Sequence, residues 1–256
     1  MSMMVEELNL LQTRFRLDPR SWSELQSEAQ GWSFPLSDLL EEKPREQVLR
    51  QIKDLLGTAN LSVASSMLVK RISFAFLIPL ALFSLYQKRV TGSTWNVSLL
   101  TPLESDSLWV PSIVMDLSEI QEVLVENRSS ERTELFRWMF QQHFAPWVNG
   151  IRCSVNISEI TLWENVFVYI KWMYQTMRSE AYSVECKRQI EEDYQALISD
   201  PTLSLDQKGT NPFIAFSQEA FTHNRKTCCL AYLTSLRPQH CKTCPVNCSA
   251  RGSSSN

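Results

Sequence analysis

The stretch ISFAFLIPLALFSLY, Ile72 to Tyr86, runs for fifteen residues without a charge and is bracketed by Lys70-Arg71 and Lys88-Arg89. A segment this apolar must leave water, either for a bilayer or for the middle of a protein. A membrane-crossing helix needs roughly 20 apolar residues, and Pro79 interrupts this run. The sequence therefore predicts a buried core helix kinked at the proline, and no integral membrane insertion. The rest of the chain has to be arranged around that helix. With 256 residues and 44% hydrophobic content there is material for a large core. Six glycines and eleven prolines, against eight tryptophans and twelve phenylalanines, exclude a disordered or low-complexity chain.

Periodicity divides what remains into helices and a small β element. Residues 1 to 35 read as irregular structure around a short strand or helix. Val48, Ile52, Leu55 and Leu56 repeat with helical period from Glu46, with Gly57 as the stop, and the apolar run extends a second helix from Leu61 to Gln87. STWNVSLLTPL and SLWVPSIVMD, separated by the polar ESD, read as paired strands. SERTELFRWMFQQHFAPW predicts a helix ending near Pro146, and GIRCSVNI a further strand. Trp163, Val166, Phe167, Ile170, Met173, Tyr174 and Met177 form one apolar helical stripe, read as core, behind Ser158 as N-cap. Another amphipathic helix spans about Ser183 to Ile198. The expected class is α+β: a helix-rich body over residues 1–222, followed by a short segment over 223–256.

Charge and cysteine are concentrated in that last segment. The net charge is −3, yet after Glu219 there is no acidic residue, while Arg225, Lys226, Arg237, Lys242 and Arg251 follow; this leaves −8 for the rest. A positive patch on an acidic protein suits an anionic ligand, an acidic partner or an anionic metal centre, and is too small a footprint to predict nucleic acid as a partner. Met1 to Leu17 has no positive stretch ahead of an apolar one, so a cytoplasmic location is expected. In that reducing compartment clustered cysteines point to metal or redox chemistry rather than disulfides.

Five of the seven cysteines lie between residues 228 and 248: Cys228-Cys229, then Cys241-x-x-Cys244, then Cys248. Four thiolates suffice for a tetrahedral zinc or for a [2Fe-2S] cluster, and the Cys-x-x-Cys half fits both. Adjacent cysteines project to different sides of an extended backbone, which suits the two separate irons of a cluster better than one ion. A disulfide between Cys228 and Cys229 is disfavoured, because neighbouring Cα atoms are about 3.8 Å apart, below the usual bridging range. Cys153 and Cys186 read as buried apolar residues, and His240 as an exposed or hydrogen-bonding neighbour of Cys241, since a Rieske centre would require a second histidine, His143 or His223.

The arrangement Cys-Cys, a spacer of eleven residues, Cys-x-x-Cys resembles the FhuF-like ferric siderophore reductases. RKTCCLAY, LWEN at Leu162 to Asn165, and Lys70-Arg71 ahead of a proline-containing apolar helix add to the likeness, which spans roughly residues 60 to 248. The resemblance implies a [2Fe-2S] cluster held by Cys228, Cys229, Cys241 and Cys244. The family spacer is about ten residues, and Cys248 is a fifth thiol beyond the motif, which opens the fourth position to exchange between Cys244 and Cys248. It also implies one-electron reduction of a ferric siderophore, of hydroxamate or citrate type, with electrons from a ferredoxin, flavodoxin or reductase. No group beyond the cluster is needed for catalysis, and the sequence lacks Gly-x-Gly-x-x-Gly, P-loop and Gly-x-Ser-x-Gly motifs. Arg225, Lys226, Arg237 and Lys242 are the substrate-binding candidates; equally, they would serve only to offset a negative cluster. Lys70 and Arg71 read as a solvated helix start. Trp163, Glu164 and Asn165 would line the substrate face if the likeness holds. Two alternatives are a zinc-stabilised four-cysteine binding module and an iron-sulfur sensor without turnover.

Overall fold

The computed structural model describes residues 5–20, 24, 31–91, 95–102, 109–181, 183–218, 225–236, 239–241 and 243–246. The chain is mostly helical, with α1 Val5–Phe15, α2 Glu42–Leu55, α3 Leu61–Tyr86, α4 Arg128–Phe136, α5 Ala145–Ser154, α6 Glu159–Glu180, α7 Val184–Ser199 and α8 Pro212–Ser217. The strands are β1 Leu17–Asp18, β2 Gly31–Pro35, β3 Lys88–Val90, β4 Val97–Pro102, β5 Ser112–Met115 and β6 Ile120–Glu122. They make a four-stranded sheet in the order β1-β5-β4-β2 and a separate β3-β6 ribbon. The two predicted strands pair antiparallel as β4 and β5, with Val97 opposite Met115. The sheet is mixed rather than wholly antiparallel, because β1 joins β5 in parallel.

The apolar run belongs to a 26-residue helix, α3, that starts well before it. Asn60 caps the helix by accepting from the Ser62 N–H at 2.7 Å, and Gln87 ends it in the left-handed conformation. This length passes the test for a membrane span that the fifteen-residue run failed, but 83% of its most apolar window is buried inside the protein, as a core helix requires. Helices α6, α2 and α1 pack around it. Phe76 anchors an aromatic core with Trp95, Phe140, Phe144 and Trp147, extended through Phe144 to Trp163 at 4.6 Å, edge to face. Trp163, Val166, Phe167, Ile170, Met173, Tyr174 and Met177 are all buried, so the stripe is core.

Several local expectations are corrected. Among the described residues of the amino-terminal 35 there are a regular helix and two strands. The helix through FRWMFQQHF does not stop near Pro146: it widens into a π-helix, Arg137–Phe144, and continues as α5 to Ser154. Pro146 falls at the junction of the π-helix and α5, and the helical backbone runs through it. GIRCSVNI is accordingly helix through Ser154 and not a strand. Cys153 is exposed, and Cys186 is half-buried against the edge of the core. Ser158 occupies the N-cap of α6 without a side-chain bond, whereas Ser183, capping α7, accepts from the Cys186 N–H.

Candidate functional site: a thiol segment clamped on two helices

The segment from Arg225 onward is held against α3 and α6 by polar groups that are themselves buried. Glu164, 3% exposed, accepts from the backbone N–H of Lys226 at 2.6 Å and of Thr227 at 2.8 Å, and from the Thr227 hydroxyl. Next to it Asn165, fully buried, donates to the carbonyl and hydroxyl of Ser66 and accepts from Arg225 Nη2 at 2.6 Å. Ser66 in turn donates to the carbonyl of Cys229 at 2.7 Å. A buried polar network of this kind is favourable only when its members are matched, so it fixes the path of the loop at the two adjacent cysteines.

A second attachment lies at the far end of the loop. Ser235 donates through both its N–H and its hydroxyl to the Leu56 carbonyl at 3.1 Å. The turn beneath it is Gly57, at φ +59°, where a Cβ would stand 2.0 Å from Ser235 Oγ. Only glycine allows both the left-handed turn and this approach.

Inside the loop, Leu230 adopts φ +62° and directs its N–H to Cys228 Sγ at 3.4 Å, and the Ala231 N–H serves Cys229. The Arg225 N–H bonds to the Thr243 carbonyl, and the Cys244 N–H to the Cys241 carbonyl, which brings the Cys-x-x-Cys turn back beside the vicinal pair. Cys228 Sγ and Cys244 Sγ stand 3.6 Å apart. Among the described residues, no three His, Cys, Asp or Glu side chains converge as a site for a single metal ion.

The thiols differ in their electrostatics. Burial pushes the Cys228 thiol up to about 11 and also raises that of Cys241, whose main charged neighbour is Cys229. Burial acts on Cys229 in the same sense, but the cations Lys70 and Arg225 and the Ala231 N–H outweigh it and hold that thiol below its ordinary value. Lys70 Nζ lies 3.7 Å from Cys229 Sγ.

The candidate residues thus separate. Cys228, Cys229, Cys241 and Cys244 share one segment, two of them buried and two half-buried. Arg225, expected on a basic rim, is instead buried, bonded to Asn165 and 3.6 Å from Glu164. Lys226 is exposed. Arg237, Lys242, Cys248 and His223 lie outside the described residues. His240 is exposed and stacks on Tyr232 at 4.1 Å, and His143 packs among Trp95, Trp138 and Trp147. Glu164 and Asn165 are buried, with the Glu164 carboxylate taken up by the loop and Asn165 by Ser66 and Arg225. Lys70 and Arg71 are not a solvated helix start: they sit in mid-helix, half-buried and buried, on the side covered by the thiol segment. The signal available for them was their position, a charged pair with apolar sequence on both flanks.

The description "Ferric iron reductase FhuF-like transporter" belongs to a family model that matches residues 103–223, just under half of the chain. No curated protein and no solved structure matches the chain. The matched stretch contains Glu164 and Asn165 and stops before the first cysteine of the cluster of thiols, so it is a likeness independent of them. Over residues 103–223, then, this chain is similar to the FhuF-like ferric iron reductase family.

Proposed function

We propose that the protein reduces ferric siderophores by one electron through a [2Fe-2S] group held by Cys228, Cys229, Cys241 and Cys244. The observation that carries this reading is the geometry of the four thiols on a polar clamp. Two thiolates on one tetrahedral metal at about 2.3 Å each stand about 3.8 Å apart, and Cys228 and Cys244 are 3.6 Å apart. The other two thiols, Cys229 and Cys241, lie on the same segment, which supplies the four sulfur ligands that such a group takes. Such a group, when bound, supplies one electron at a potential set by its sulfur hydrogen bonds and surroundings. The chain contributes the Leu230 and Ala231 N–H groups, which soften the charge on the sulfurs, and the Lys70 ammonium, which offsets it.

Ferric iron is held tightly by hard oxygen donors, and ferrous iron far less so. Gain of one electron by the bound ferric ion therefore releases Fe(II) and leaves the chelator chemically intact. No proton abstraction or nucleophile is required. The electron reaches the protein from a ferredoxin, flavodoxin or reductase.

The test is optical. Anaerobically purified protein is reduced with dithionite, then given one equivalent of a ferric hydroxamate or ferric citrate. The expected result is visible bands that bleach and return as a ferrous-specific chelator colours. A colourless protein holding stoichiometric zinc after reconstitution would replace the reading with a zinc-stabilised binding module. A cluster that stays reduced beside every ferric chelate would replace it with a sensor.

A further inference from the structure

Beside the thiols a notch of about 90 Å³ opens between α3 and α6, walled by Lys70, Arg71, Tyr169, Trp109, Val110 and Leu236. It is large enough for a carboxylate-sized group and too small for a whole siderophore. Trp109 is 1% exposed, with its Nε1–H donated to Thr101 at 2.9 Å, so this wall is fixed. The Lys70 ammonium, in so small a space walled by two aromatic rings, suits an anionic oxygen group. Lys70 has a double position: its ammonium lines the notch and lies 3.7 Å from Cys229 Sγ, and three N–H donors let it serve both at once.

A larger cavity of about 860 Å³ exists, lined by Asp18, Arg20, Trp95, Val97, Met115 and Asp116. It lies at the other end of the sheet. Val97 begins β4 and Thr101, the partner of Trp109, is four residues further along it, so about 13 Å of strand, at about 3.3 Å per residue, separates the two. A ferric ion tethered at the notch, which Lys70 and Ala231 line, is adjacent to the thiols.

We propose that the notch docks one anionic oxygen group of the ferric chelate, a carboxylate or a hydroxamate oxygen, with Lys70 touching both the chelate and Cys229. This rests on the reductase reading and adds the place and chemistry of substrate binding. Calorimetry on the oxidised, cofactor-loaded protein tests it with redox-inert gallium(III) citrate and gallium(III) desferrioxamine. At least one complex binds, and Lys70→Gln weakens it tenfold or more. Val110→Trp, which fills the notch without altering charge, weakens it comparably, while Lys43→Gln, an exposed cation on α2, changes it less than twofold. A loss seen with citrate assigns the notch to a carboxylate, and one seen with desferrioxamine to a hydroxamate oxygen. Wild-type affinity in both Lys70→Gln and Val110→Trp, or no binding of either complex to the unaltered protein, overturns the proposal. Failure of the reductase reading looks different: the gallium complexes bind, yet dithionite-reduced protein leaves their ferric counterparts unreduced.

Discussion

Asp193 and Glu164 are both carboxylates buried in the helical body, and they are used differently. Asp193, fully buried on α7, accepts from Ser84 at 2.8 Å, Arg128 at 2.5 Å and Arg132 at 3.2 Å, all side chains on regular helices. Burial pushes its carboxyl up while the two guanidiniums pull it down. Glu164, on α6, accepts from the backbone of a loop far along the chain. Side chains that grip side chains fix how helices pack. A side chain that grips backbone N–H groups fixes the path of a loop whatever that loop's own side chains are, which leaves those side chains available for chemistry. A buried carboxylate is therefore no functional marker by itself; what its partners carry decides.

The comparison breaks most readily at Asp193. Asp193→Ala strands the buried Arg128 and the half-buried Arg132 without a counter-charge, and an expected loss of about 3–5 kcal/mol should appear in urea unfolding. Molecules that remain folded should keep the wild-type alkylation rates of Cys228 and Cys229. Glu164→Leu should reverse the pattern. Its loop donors lose their acceptor at a cost of about 1–3 kcal/mol, and iron content after reconstitution should collapse. Iron retention in Glu164→Leu together with iron loss in Asp193→Ala would invert the roles assigned to the two clusters.

A half-buried histidine belongs to neither. Burial among Trp95, Trp138 and Trp147 lowers His143 to about 4. The ring is neutral in the folded protein, while the unfolded chain takes up a proton below about 6.5. The stability this group contributes is complete above 6.5 and is lost as pH falls towards 4. Allowing for its partial exposure, the loss is about 1–2 kcal/mol. Urea midpoints at pH 7 and pH 5 should differ less in His143→Phe than in the wild type, and an equal difference in both would remove His143 from the account. The smallest effect expected is that of Cys248→Ser, with an unchanged visible spectrum and stability within about 0.5 kcal/mol. A lost spectrum there, with an intact one in Cys244→Ser, would exchange the two thiols.

How far the sequence was legible follows from what a pattern can carry. The stripe from Trp163 to Met177 and the pairing of β4 with β5 were readable because period and composition are local. The α+β class followed from the same signals. The π-helix at Arg137–Phe144 was not readable, since widening a helical turn leaves the apolar spacing nearly unchanged and Pro146 looked like a stop. Lys70 was misread for another reason: its partner, Cys229, lies 159 residues away, and nothing near Lys70 in sequence announces the loop that covers it. Glu164 and Asn165 were singled out through the LWEN resemblance, but their role as a clamp depended on which backbone groups arrive beside them.

The attachments of the thiol segment also impose an order in time. Leu56, Ser66, Lys70, Glu164 and Asn165 all precede Arg225 in the chain. During synthesis, where earlier parts of a chain fold first, the whole docking platform can be standing, with its cation in position, before the first of the clustered cysteines leaves the ribosome. The thiols then meet a finished surface instead of having to organise one, which shortens the interval in which they are exposed together to stray metals and oxidants.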